Sequence, residues 1–272
     1  MLRRPSVAGT WYPDDPARLV AEVEGYLGRV EVDGITRPLR AVVAPHAGLM
    51  YSGPVAAYAY TLARRSGCSS IVLVGPSHFG PFHGVSIWPE GAWATPLGAV
   101  TIDRSLAEAL KAESPDIVEL PEAHGREHSL EMQLPFVAHL FPGVPIVPLV
   151  MGRQSRDTAF ALGGALARAV AARAPDALLV ASSDLSHYED AATAQALDET
   201  VIRHVESMDP SGLMDRLEAE PRHACGGGPI VAVLDAAGRL GATEARLLQY
   251  ADSGDVSGDK SSVVGYMAAA IW

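Results

Sequence analysis

Three stretches of the chain end an apolar run in a histidine. AVVAPHAG reaches His46, IVLVGPSHFG reaches His78, and ALLVASSDLSHY reaches Asp184 and then His187. A β-branched run bounded by Gly and Pro reads as a buried strand, and a histidine just beyond it lies where the chain leaves a sheet. If the three strands are parallel neighbours, their carboxyl ends bring the three imidazoles to one edge, where open α/β sheets bind ligands. One loop histidine needs only a hydrogen-bond partner, but three at equivalent positions predict a cluster.

Other polar residues stand in settings that suit the same chemistry. REHSLEMQLPF puts Glu127, His128 and Glu131 at the start of an amphipathic helix, with His128 and Glu131 three apart on one face. Either carboxylate can instead be a first-turn acid favoured by the helix dipole. Asp184 can orient His187 through a ring N–H and fix its tautomer, or it can cap a helix. Cys225, in RHACGGGPIVAVL, precedes three glycines and an apolar run. Backbone N–H groups at such a helix start are expected to favour the thiolate as ligand or nucleophile, the alternative being a small buried hydrophobe. Cys68, in RRSGCSSIV, enters a strand and reads as structural.

Histidines with one thiolate and nearby carboxylates suit Fe(II), Cu or Zn, whereas Mg and Ca want oxygen ligands. No HExxH, CxxC or EF-hand pattern occurs, nor a Walker A, GxGxxG or GxSxG motif. Any metal site is therefore assembled from distant positions.

The elements that must position these residues follow an alternating rhythm. Strand-like runs at 40–45, 71–75, 144–151 and 177–182, with two more near 244–251 and 262–270, alternate with helix-like segments. The helices are expected at 16–29, 53–65, 103–112, 128–140, 156–173, 189–206 and 227–239, and a hairpin within 84–101. This predicts an α/β fold, a central, mostly parallel or mixed sheet flanked by helices. With no linker, repeat or shift of composition, residues 1–272 read as one domain.

Of the 272 residues, 48% are hydrophobic and 19% charged, an ordinary globular balance. The net charge of -11 disfavours nucleic acid and anionic membrane surfaces as partners, leaving a small molecule or peptide. No stretch reaches the roughly 18 apolar residues of a membrane span, and the expected location is cytoplasmic.

Seven motifs in order along the chain, RRPSVAGTWYP, APHAGLMYSGP, GPSHFG, EHSLEMQLPF, SSDLSHY, ACGGGPI and VVGYMAAA, resemble the Memo-like proteins, known in prokaryotes as AmmeMemoRadiSam system protein B. The resemblance implies a fold like that of the extradiol ring-cleaving dioxygenases that use non-haem iron, with the metal at one edge of the sheet. It further implies metal ligands at His46, His78 and Cys225, with Asp184 and His187 lining the pocket as catalytic residues. The dioxygenases complete their site with a carboxylate, where this chain offers the softer, more oxidisable Cys225. Two functions are expected. One is a metal-dependent oxidoreductase, with Fe(II) first and Cu or Zn as alternatives, in which His187 passes protons. The other is a noncatalytic module holding a peptide or anionic group with its imidazoles, His128 included, between Trp11 and Tyr51.

Overall fold

The computed structural model describes residues 1–32, 34–35 and 37–272. Its strands in chain order are β1 (Leu2–Arg3), β2 (Ala41–Ala44), β3 (Ile71–Pro76), β4 (Val85–Ile87), β5 (Ala92–Thr95), β6 (Gly98–Thr101), β7 (Ile117–Val118), β8 (Ile146–Met151), β9 (Leu178–Ser182), β10 (His187–Glu189), β11 (Ala245–Asp252) and β12 (Val263–Ile271). Nine of them form one sheet in the order β10-β12-β2-β9-β3-β8-β4-β7, with β11 also paired to β12. The centre, β2-β9-β3-β8, is parallel throughout, and antiparallel pairings flank it at β12 and β4. The sheet is therefore mixed around a parallel core.

Every residue of the four central strands is buried, because helices cover both faces. Val43, Val72, Val74 and Leu179 pack with side chains from the helices Arg104–Glu113, Arg156–Arg173 and Gly227–Arg239. Val42, Leu73 and Val180 point the other way, to side chains from Pro16–Leu27, Leu49–Ala63 and Leu134–Leu140. Continuous apolar runs, rather than alternating ones, are what strands covered on two faces require.

Several sequence expectations need revision. The helix expected from 53 begins at Leu49, because Gly48 caps it and the Leu49 N–H donates to Trp11 O at 2.8 Å, leaving Pro54 inside the helix. Residues 126–130 are not helical: a 3-10 turn, Glu131–Gln133, leads into the helix Leu134–Leu140. The region 84–101 divides between two sheets, since β4 joins the main sheet while β5 and β6 pair as a hairpin beside β1. The helix expected from 189 starts at Ala191 after β10, with Asp190 as its cap. Pro210–Ala219 is a further helix not foreseen.

Candidate metal centre

Because β2, β9 and β3 are adjacent and parallel, their carboxyl ends deliver His46, Asp184 and His78 to one edge of the sheet. The loop 126–130 brings His128 to the same place. One ring nitrogen from each of His46, His78 and His128 lies within 4.8 Å of the others, with His46 buried, His128 half-buried and His78 exposed. Cys225 reaches this group on the His46 side, its Sγ 3.3 Å from His46 Nε2.

Each of two imidazoles is held from behind. His78 Nδ1 meets Glu127 Oε1 at 2.9 Å, while the His78 backbone N–H donates to Glu127 Oε2 at 2.6 Å. The same carboxylate accepts backbone N–H groups from His128 and Ser129, at 2.9 and 2.8 Å. Burial opposes ionisation of Glu127, but the His78 ring and these N–H groups outweigh it and hold the carboxyl at about 2. His46 Nδ1 instead meets the hydroxyl of Ser182 at 3.0 Å. Burial, aided by repulsion from the neighbouring His78 and His128 rings when they are protonated, keeps His46 well below its ordinary range. Burial likewise lowers His128 to about 4, with His78 adding to the shift. His46 and His128 are therefore neutral near pH 7 and keep a lone pair for a ligand bond.

Other expected site residues lie around this group. The Asp184 carboxylate accepts the His46 and Ala47 N–H groups at 2.7 and 3.3 Å, fixing the loop that carries His46. His187 Nδ1 turns to Leu185 O at 2.8 Å. The direct Asp184–His187 hydrogen bond expected from the sequence is not among those made by the described residues. Trp11 is 38% exposed, and its ring centroid lies 4.4 Å from that of His128. Tyr51, in the first turn of Leu49–Ala63, packs half-buried with the apolar core of that face.

The glycines after Cys225 are needed for close approach. A Cβ on Gly226 would come within 2.6 Å of Ser182 O, and one on Gly228 within 2.8 Å of the Gln154 side chain. Gln154 closes this corner, donating to Cys225 O at 2.7 Å and accepting the Gly228 N–H at 2.8 Å. The expectation of an ionised thiol is reversed for the metal-free protein: burial pushes the Cys225 thiol up, and the charge of Asp184 adds to the rise. With the Gly226 and Gly228 N–H groups spent on Ser183 and Gln154, the helix start does not offset that cost.

Glu127, which the sequence leaves open as a site group or a first-turn acid, takes the first part, and Ser182 and Gln154 support the site without a role assigned from sequence. For Ser182 the signal was a small polar residue ending an otherwise apolar strand. Glu131 does not join the site. Its buried carboxylate binds Arg3 at 2.7 Å, the Ser6 and Val7 N–H groups and the Tyr12 hydroxyl, anchoring the N-terminal segment.

Comparison with known proteins assigns the family. The family model described as Memo-like protein matches residues 3–270. The chain belongs to the Memo family. A MEMO1 family protein of Methanothermobacter thermautotrophicus is 43% identical, over 98% of this chain and 99% of that one. One from Thermotoga maritima is 38% identical over the full length of both. A crystal structure of an uncharacterized protein, JW3007, from Escherichia coli K12 shares 18% identity with a TM-score of 0.53, covering 84% of this chain and 99% of that one. At that identity the likeness concerns the fold alone. No helix among the described residues is long and apolar enough to cross a membrane. The donor set of this Memo-family chain fits a borderline transition metal: three imidazoles and one thiol converge, and the outer ring nitrogens of His46 and His78 are already engaged.

Proposed function

We propose that the chain binds one transition-metal ion at the strand-end cluster through His46, His78 and Cys225, with Fe(II) first and Cu or Zn as alternatives. The observation that carries this reading is the approach of Cys225 Sγ to His46 Nε2, 3.3 Å, beside the His78 ring. A second ligand set is favoured by the mutual approach of His46, His78 and His128, in which His128 replaces the thiolate.

Metal uptake distinguishes the two sets. The Cys225 thiol is protonated in the free protein, so its ligation must expel a proton, whereas neutral imidazoles expel none. Titration with Zn(II) at pH 8, above the ordinary range of histidine, should release about one more proton per metal in the wild type than in Cys225→Ala, the proton lost from zinc-bound water being common to both. Equal release in both proteins would exclude Cys225 as a ligand.

On this reading the protein is an oxidoreductase. A redox metal held there by His46, His78 and Cys225 would supply electron transfer and Lewis-acid polarisation. His187, at the same edge of the sheet, gives and takes protons there, while Asp184 holds the His46 loop. His128, Trp11 and Tyr51 form the substrate-facing side, with Trp11 tilted against His128 as an open aromatic wall. Metal-dependent oxygen consumption that is lost in His78→Ala supports the enzyme. Saturable peptide or anion binding that survives chelation would favour the noncatalytic module, a reading supported by the exposed Trp11 and Phe79, whose rings flank His128.

A further inference from the structure

The Ser182 hydroxyl carries one proton and two lone pairs. Three polar groups surround its oxygen: Ser129 O at 2.6 Å, Gln133 Nε2 at 2.7 Å and His46 Nδ1 at 3.0 Å. A carbonyl can only accept, so Ser129 takes the hydroxyl proton, leaving two lone pairs on Ser182 for the other two neighbours. An amide nitrogen can only donate, so Gln133 fills the first. The second must accept from His46, which therefore carries its proton on Nδ1.

The orientation of the Gln133 amide is itself forced. Its Nε2 also lies 3.0 Å from Pro45 O, an obligate acceptor, and its Oε1 lies 2.9 Å from the Tyr60 hydroxyl. Turning the amide over would set two acceptors against each other at Pro45. Tyr60, Gln133, Ser129, Ser182 and His46 are all at most 1% exposed, so water cannot relieve a mismatched proton.

We infer that Ser182, locked by Gln133 and the Ser129 carbonyl, is the positioning residue that holds His46 as its Nδ1–H tautomer. Nε2, the nitrogen facing Cys225, then keeps its lone pair. Glu127 holds His78 with a charged carboxylate, whereas Ser182 does so for His46 without adding a charge beneath a fully buried ring. The tautomer assignment stands on hydrogen-bond geometry alone, while its consequence for metal rests on the reading of His46 as a ligand.

Nitrogen NMR of 15N-histidine-labelled, metal-free protein at pH 8 tests the assignment directly. The His46 ring of the wild type should show a protonated Nδ1 and a bare Nε2. Ser182→Ala should convert it to the Nε2–H form or a mixture, and Ser182→Thr, which restores a hydroxyl, should return it. A protonated Nε2 in the wild type would overturn the inference even if the alanine variant failed to fold, and an unchanged tautomer in a folded Ser182→Ala protein would also overturn it. Zn(II) affinity should fall about 10- to 100-fold in Ser182→Ala and recover in Ser182→Thr. A switched tautomer with unchanged Zn(II) affinity would remove His46 from the ligand set and leave the assignment of Ser182 intact.

Discussion

Glu127 and Glu131 lie four residues apart in the stretch REHSLEMQ, and both carboxylates are buried, yet they serve different parts of the molecule. Glu127 gathers the His78 ring and three backbone N–H groups at the sheet edge. Glu131 gathers Arg3, Ser6, Val7 and Tyr12, tying down the N-terminal segment. On a continuous helix, residues four apart would share a face. Here the helix does not begin until after Glu127, so the chain turns between the two and their directions separate. One carboxylate thus holds the histidine cluster and the other holds the N-terminal segment.

The largest expected effect falls on the fold side. Removing one member of a buried ion pair strands the other charge, which typically costs about 3–5 kcal/mol. Glu131→Ala should lower stability by roughly that much in urea unfolding, since Arg3 is only 3% exposed and its guanidinium also braces His124 O and Glu127 O. A loss below about 1 kcal/mol would mean that the N-terminal segment is held by apolar packing alone.

Acid should reveal Glu127 next. Its folded value, about 2, lies below the ordinary 4.5. A depressed carboxyl contributes stability that is fully present above the ordinary value and is lost as pH falls through the folded one. The window is therefore pH 4.5 down to 2, and the contribution is roughly 3 kcal/mol. Glu127→Gln should flatten the stability–pH curve across that window. A variant with the same acid slope as the wild type would assign the loss to other groups.

Metal affinity sharpens the contrast further. Glu127→Gln should weaken Zn(II) binding about 10- to 100-fold, because the amide holds the His78 ring less firmly and makes it less basic. Glu131→Gln should leave the affinity of the folded protein unchanged. Equal losses in both would show that the N-terminal segment, through Trp11 on His128, supports the site as much as Glu127 does.

Much of this was legible in the sequence, and the failures have physical causes. The runs leading to His46, His78 and Asp184–His187 marked buried strands, since only a sheet covered on both faces tolerates such continuous apolarity, but the third imidazole of the group is His128, from a loop, and not His187. Their shared edge followed from strand order. What could not be read was direction within REHSLEMQ, because a helical period was applied to residues that form a loop. Nor does the sequence show the state of Cys225: three glycines suggest free N–H groups, but two of those groups are already donating to Ser183 and Gln154. The role of Ser182 needed the carbonyl of Ser129, an acceptor that no sequence pattern advertises.

The smallest expected effect uses the two cysteines as reporters. Burial raises both thiols, and at Cys225 the charges of Asp184 and, more weakly, Glu127 raise it further, whereas the charge that raises Cys68 is that of Asp176. Removing the Glu127 charge should let Cys225 ionise slightly more easily. Alkylation of metal-free Glu127→Gln should therefore be a few-fold faster at Cys225 than in the wild type, with Cys68 unchanged, because reactivity follows the thiolate fraction. In Glu131→Gln, neither thiol should change relative to the other as long as the protein stays folded. Peptide mass spectrometry after a timed pulse of iodoacetamide reads both sites in each variant. Faster labelling of both cysteines would indicate loosening of the fold, and faster labelling of Cys225 in Glu131→Gln alone would reverse the assignment of the two carboxylates.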